Sequence, residues 1–74
     1  MIMQNKVNCG NCLRIWMMRK DLKGTDIDDI LDKPLGFTMQ KTNCKSMLLQ
    51  NIIMFCDALG ISVWEFFKAE TEIY

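Results

Sequence analysis

The stretch MLLQNIIMFCDALGISVWEFF, residues 47–67, decides the fold. Wound at about 100° per residue, Leu48, Ile52, Phe55 and Leu59 fall within one narrow arc, and Leu49, Ile53 and Cys56 form a second arc beside it. Gln50, Asn51, Met54, Asp57 and Ala58 cover the remainder. An apolar face this wide calls for neighbours on two sides, which predicts a central helix. Gly60 stops it, because glycine takes the left-handed C-terminal position without a Cβ penalty. Ser62 and Glu65 have capping-box spacing. Val63, Trp64, Phe66 and Phe67 then supply a short apolar helix.

Working toward the N-terminus, residues 34–36 are Pro-Leu-Gly, which is turn chemistry. Pro34 disfavours a helical Lys33, so a helix before it ends at about Leu31. That helix opens at Thr25, a capping hydroxyl, with Asp26, Asp28 and Asp29 in its first turns, where the dipole favours negative charge. Ile27, Ile30 and Leu31 have i, i+3, i+4 spacing and predict its inner face. Earlier still, Leu13, Ile15, Trp16, Met17, Met18 and Leu22 provide apolar material for a first helix over about residues 9–21. Asn8 or Asn11 can cap it and Lys23-Gly24 ends it. Arg19 can bury its stem and pair with a carboxylate. Residues 1–8 read as an arm or a frayed start.

Seventy-four residues allow one domain with one modest core, and half of them are apolar. The chain is read as a single domain with its core at about residues 9–67, a short N-terminal arm and a C-terminal tail. No window approaches the ~20 apolar residues of a membrane span. MIMQNK at the start lacks a signal-peptide hydrophobic region, which predicts a cytoplasmic protein with no membrane partner. Formal net charge is zero, but it is unevenly spread. Residues 1–24 carry five cations against Asp21, and 34–46 carry Lys41 and Lys45 alone. Residues 25–33 set four aspartates against Lys33, and the remainder sets four acids against Lys68. A basic side and an acidic side on one molecule still permit DNA binding by the former.

The four cysteines include Cys9 and Cys12 in Cys-x-x-Cys spacing, whereas Cys44 and Cys56 are single. A four-ligand zinc site needs a second close pair or histidines, and the chain has no His. No metal or other cofactor is expected. Cys56, on the inner face of the central helix, fits a core as a small apolar thiol. In a cytosolic protein all four are expected reduced, two buried and two near the start of the first helix. Without His there is no Ser-His or Cys-His nucleophile pair, and there is no Gly-rich phosphate loop, so no enzyme and no small-molecule substrate are expected. The methionines sit mostly in apolar stripes, as core filling. Both tryptophans are expected in the core.

The segment FCDALGISVWEFF, residues 55–67, resembles the closing part of the lambda-repressor/Cro-like (XRE-type) helix-turn-helix family. Lys23-Gly-Thr-Asp-Ile27 resembles the start of the first helix of that family's helix-turn-helix pair, with Asp26 where many members carry a phosphate-binding Gln. Leu35-Gly-Phe-Thr38 resembles the family's turn, one residue longer than usual, with Thr38 as N-cap of the recognition helix. A rival register starts that helix at Pro34 and places Gly36 inside it, at a cost of roughly 1 kcal/mol. The resemblance spans about residues 11–67 and implies an all-α, compact five-helix domain. It implies a small sequence-specific DNA-binding transcriptional regulator, repressor-like, that binds double-stranded DNA, usually as a homodimer. The recognition helix over residues 39–45, capped by Thr38, would enter the major groove. Thr38, Gln40, Lys41 and Asn43 would lie near bases, and Lys23, Thr25 and Lys45 on phosphates. Met39 or Thr42 would pack inward, and Ser46 would cap the central helix. The family's acid-x-Gly ending of the recognition helix is absent. The alternative, favoured by zero net charge and Asp26, is a protein-interaction module that kept the fold and lost DNA, such as an antirepressor or phage accessory protein. Trp16, Trp64 or Tyr74 would then form its contact surface.

Overall fold

A computed structural model describes residues 7–71. The expectations for the residue 1–8 arm, apart from its last two residues, and for Tyr74 lie outside them. Five helices and no strand occur among the described residues: α1 Cys9–Arg19, α2 Gly24–Leu31, α3 Phe37–Lys41, α4 Leu49–Leu59 and α5 Val63–Thr71. None is long and apolar enough to cross a membrane. The all-α architecture with five short helices is as the sequence predicts.

The central position of α4 follows from its apolar arc. Ile52, Phe55, Cys56 and Leu59 are buried, and α4 packs on α1, α2 and α5. The Phe37 ring adds α3, with its centroid 6.0 Å from that of Phe55. Leu13 and Met17 of α1, Ile27 of α2 and Phe66 of α5 complete the buried cluster. The second arc is not covered: Leu49 is 61% exposed and Ile53 50%. Leu48, also exposed, is the N-cap in extended conformation, so its side chain leaves the helical stripe. Ser46 does not cap α4, which has no side-chain cap.

Local signals near the C-terminal end behave as expected. Gly60 takes φ 72°, and the Ile61 amide donates to the Cys56 carbonyl at 3.0 Å. The capping box is complete: the Ser62 amide donates to Glu65 Oε1 at 3.0 Å, and the Glu65 amide donates to Ser62 Oγ at 3.1 Å. Its carboxyl is held below the ordinary 4.5 by the Ser62 amide above all. Trp16 is half-buried, its indole N–H donating to the Glu65 carbonyl at 3.1 Å. Trp64 is not in the core; it is 71% exposed, with Lys68 Nζ 5.9 Å from its ring centroid.

α1 ends two residues before the expected Asp21. Asp21 itself takes the left-handed conformation, and the Leu22 amide donates back to the Met17 carbonyl at 2.9 Å. Gly24 is therefore not its stop; it opens α2 against the Met39 side chain. The other end of α1 is fully capped. Asn8 Oδ1 accepts from the Asn11 amide, and the Asn8 carbonyl accepts from the Cys12 amide. The Cys9 and Gly10 amides donate to the carbonyls of Lys45 and Cys44, each at 2.8 Å. From α5, Glu70 accepts from the Asn8 amide at 2.8 Å and from Asn11 Nδ2 at 3.3 Å.

Candidate nucleic-acid interface

α2 and α3 pack together and are joined by a turn over residues 32–36. The inward row of α2 is Gly24, Ile27, Asp28 and Leu31, with i, i+3, i+4, i+7 spacing, and not the expected row through Ile30, which is 56% exposed. Asp28 is 3% exposed. Its position is explained by α3. The N-cap of α3 is Gly36, at φ 92°, which has no side chain to cap with. Asp28 supplies the cap from the neighbouring helix: Oδ2 accepts from the Gly36 amide at 2.9 Å, and Oδ1 accepts from the Thr38 amide at 2.8 Å and from Thr38 Oγ1 at 2.7 Å. The Thr38 hydroxyl above all, with the two amides, holds the Asp28 carboxyl below the ordinary 3.8 against the opposing effect of burial.

This arrangement removes Thr38 from the expected set of base contacts. It is the second residue of α3 and not its N-cap, its side chain is fully buried, and its hydroxyl is engaged by Asp28. α3 starts at Phe37, between the two registers, and ends at Lys41 rather than Lys45. It ends early because Cys44 and Lys45 turn their carbonyls toward the first amides of α1. Arg14 of α1 donates to the Thr42 carbonyl at 3.0 Å, so α1 holds the first part of the α3–α4 connection, at Thr42, Cys44 and Lys45. Thr42 is buried and its hydroxyl donates to the Met39 carbonyl. Met39 is 52% exposed and rests its side chain on Gly24.

The remaining expected contacts divide. Gln40 and Asn43 are exposed on the outer side of α3 and the turn after it. Lys41, one turn after Phe37, is half-buried with Nζ 5.4 Å from the Phe37 ring centroid. Lys23, Thr25 and Lys45 are exposed. Lys23 is the N-cap of α2 in place of Thr25, and its amide donates to Asp26 Oδ2 at 2.8 Å. The start of α2 thus closes on its own carboxylate. Sequence reading missed Asp28 and Lys33, whose Nζ lies 5.3 Å from the same Phe37 centroid.

The cysteines are free thiols, with Cys9, Cys12 and Cys56 buried and Cys44 half-buried. Burial pushes Cys12 and Cys56 from 9.0 up to about 11, with Glu70 adding to it at Cys12 and Asp57 at Cys56. Among the described residues, no three His, Cys, Asp or Glu side chains converge as a metal site would need. No known protein family, curated protein or solved structure matches the chain.

Proposed function

We propose that this chain is a small DNA-binding transcriptional regulator of the lambda-repressor-like helix-turn-helix class, repressor-like in action. In this reading α2 crosses the backbone and α3 enters the major groove of double-stranded DNA, with two copies on a palindromic site. The observation that carries it is α3 with the chain that follows it: α3 is locked onto α2 by Asp28, and no Asp or Glu occurs from Lys33 to Cys56, the exposed Asp26, Asp29 and Asp32 all lying before that stretch. A helix that enters the groove gains from that absence, because a carboxylate on it would be repelled by the phosphates on either side. Gln40 and Asn43 are the side chains suited to base edges, since both amides can bond adenine bidentately. Lys23 and Lys45 take phosphates.

The test is a fluorescence anisotropy titration of the reduced protein against mixed duplex DNA at low and moderate salt, with a Lys23→Ala/Lys45→Ala variant beside it. Binding should weaken steeply with salt, and the variant should lower the log–log slope by about 0.9 for each lost phosphate contact. A folded protein that leaves the duplex unbound at low salt overturns the reading. A second reading, a protein-interaction module on the same fold, is favoured by the apolar exposure of Leu48, Leu49, Ile53 and Trp64. Such an interface would show little salt dependence.

A further inference from the structure

We propose that Lys33 and Lys41, gathered over the ring of Phe37, form an anion site for the phosphodiester backbone. The proposal rests on the DNA-binding reading above and adds to it a pair of residues on the flank of α3. Three observations carry it. Lys33 Nζ and Lys41 Nζ lie 5.3 and 5.4 Å from one ring centroid, so an ammonium group from the turn and one from the end of α3 flank the same ring. Their floor is fixed, because Phe37 is half-buried and seated against the fully buried Phe55. Among the described residues neither ammonium is ion-paired with a carboxylate. Two positive charges on one ring, neither met by a carboxylate, attract a polyanion to that spot, and successive phosphates of one strand can meet both. A phosphate is also recognised well by lysine, which acts as a point charge and needs no planar partner.

The same geometry reassigns Lys41. It lies on the Phe37 side of α3, one turn on, and not on the outer side with Gln40. A lysine there touches backbone rather than base edges, and backbone contacts position a protein without reading sequence. Lys33, which precedes Pro34 in the turn, joins it.

The experiment compares Lys33→Ala and Lys41→Ala with the wild type and with Gln40→Ala, each shown to be folded by circular dichroism. Anisotropy is measured on duplexes of several sequences across a salt series. Each lysine variant should lower the log–log salt slope by about 0.9 and weaken every sequence by the same factor, whereas Gln40→Ala should change the ranking of sequences. A slope unchanged in Lys33→Ala, or lost only in Lys41→Ala, overturns the paired site while leaving DNA binding intact. In parallel, pyrophosphate is titrated while the Phe37 ring resonances are followed by NMR. Shifts that need both lysines support the anion site even if the wild type ignores duplex DNA, in which case the DNA reading alone fails. Ring resonances that do not move, in a protein that also ignores DNA, overturn both.

Discussion

Replacing Gly10 with alanine sets two effects against each other, and they differ in sign. Gly10 lies in the first turn of α1, where helix propensity alone predicts that alanine stabilises by roughly 0.5–1 kcal/mol. In the folded protein, however, a Cβ at this position would meet the Thr42 carbonyl oxygen at 2.3 Å and the Cys44 carbonyl oxygen at 2.7 Å. Both are backbone atoms in the α3–α4 connection, so neither can rotate away. Relief requires the connection to move off α1 by about an ångström, the scale of backbone shift for which overpacking costs about 1–3 kcal/mol. The same shift stretches the amide bonds from Cys9 and Gly10 to Lys45 and Cys44, now 2.8 Å each, toward loss. Each is worth roughly 0.5–1.5 kcal/mol. The two costs overlap, so the net expectation is destabilisation by about 2 kcal/mol, or a Tm lowered by about 8–16 °C in a domain of this size. A domain of this length has only about 4–11 kcal/mol of stability, so the variant remains folded but visibly weakened. Thermal and urea unfolding followed by far-UV circular dichroism measures it. Gly24→Ala is the control: there the Cβ would meet only the Met39 side chain, which is half exposed and flexible, so its effect should stay within about 0.5 kcal/mol. If Gly10→Ala is as stable as the wild type or more so, α1 does not sit against the α3–α4 connection as described.

Asp28, held below its ordinary 3.8, stabilises the fold above that value, and this contribution is lost as pH falls through the lower folded value. Asp28→Asn should be less stable at neutral pH and show a flatter stability profile than the wild type on acidification from roughly pH 5 to 3; parallel profiles would remove Asp28 from its capping role. Cys12 and Cys56, raised from 9.0 to about 11 by burial, bind protons in the folded state that the unfolded chain releases, so stability should fall as pH rises through that window. At neutral pH a thiol reagent should label half-buried Cys44 first and reach Cys12 and Cys56 only at the rate of unfolding, a ranking that mass spectrometry reads directly. Ser62→Ala should cost about 1 kcal/mol through the lost α5 cap, measured as a lowered urea midpoint at unchanged slope.

What the sequence determined by itself lies where cause and effect are a few residues apart. The buried arc of Ile52, Phe55 and Leu59, the left-handed Gly60 and the Ser62–Glu65 box all depend on neighbours within four residues along the chain, and their spacing is therefore legible. The tertiary structure decided what depends on partners far away. Asp28 reads as one more acid at a helix start, because nothing local says that Gly36 lacks a cap and that a carboxylate eight residues back will provide it. Thr38 reads as an exposed cap for the same reason. Leu49 and Ile53 read as core because periodicity shows that a face is apolar, not whether another helix lies against it. Gly10 and Glu70, which join α1 to the α3–α4 connection and to α5, leave no mark in the sequence, since their partners stand from 32 to 62 positions away and hydrogen bonds over such spans exist only once the chain has folded.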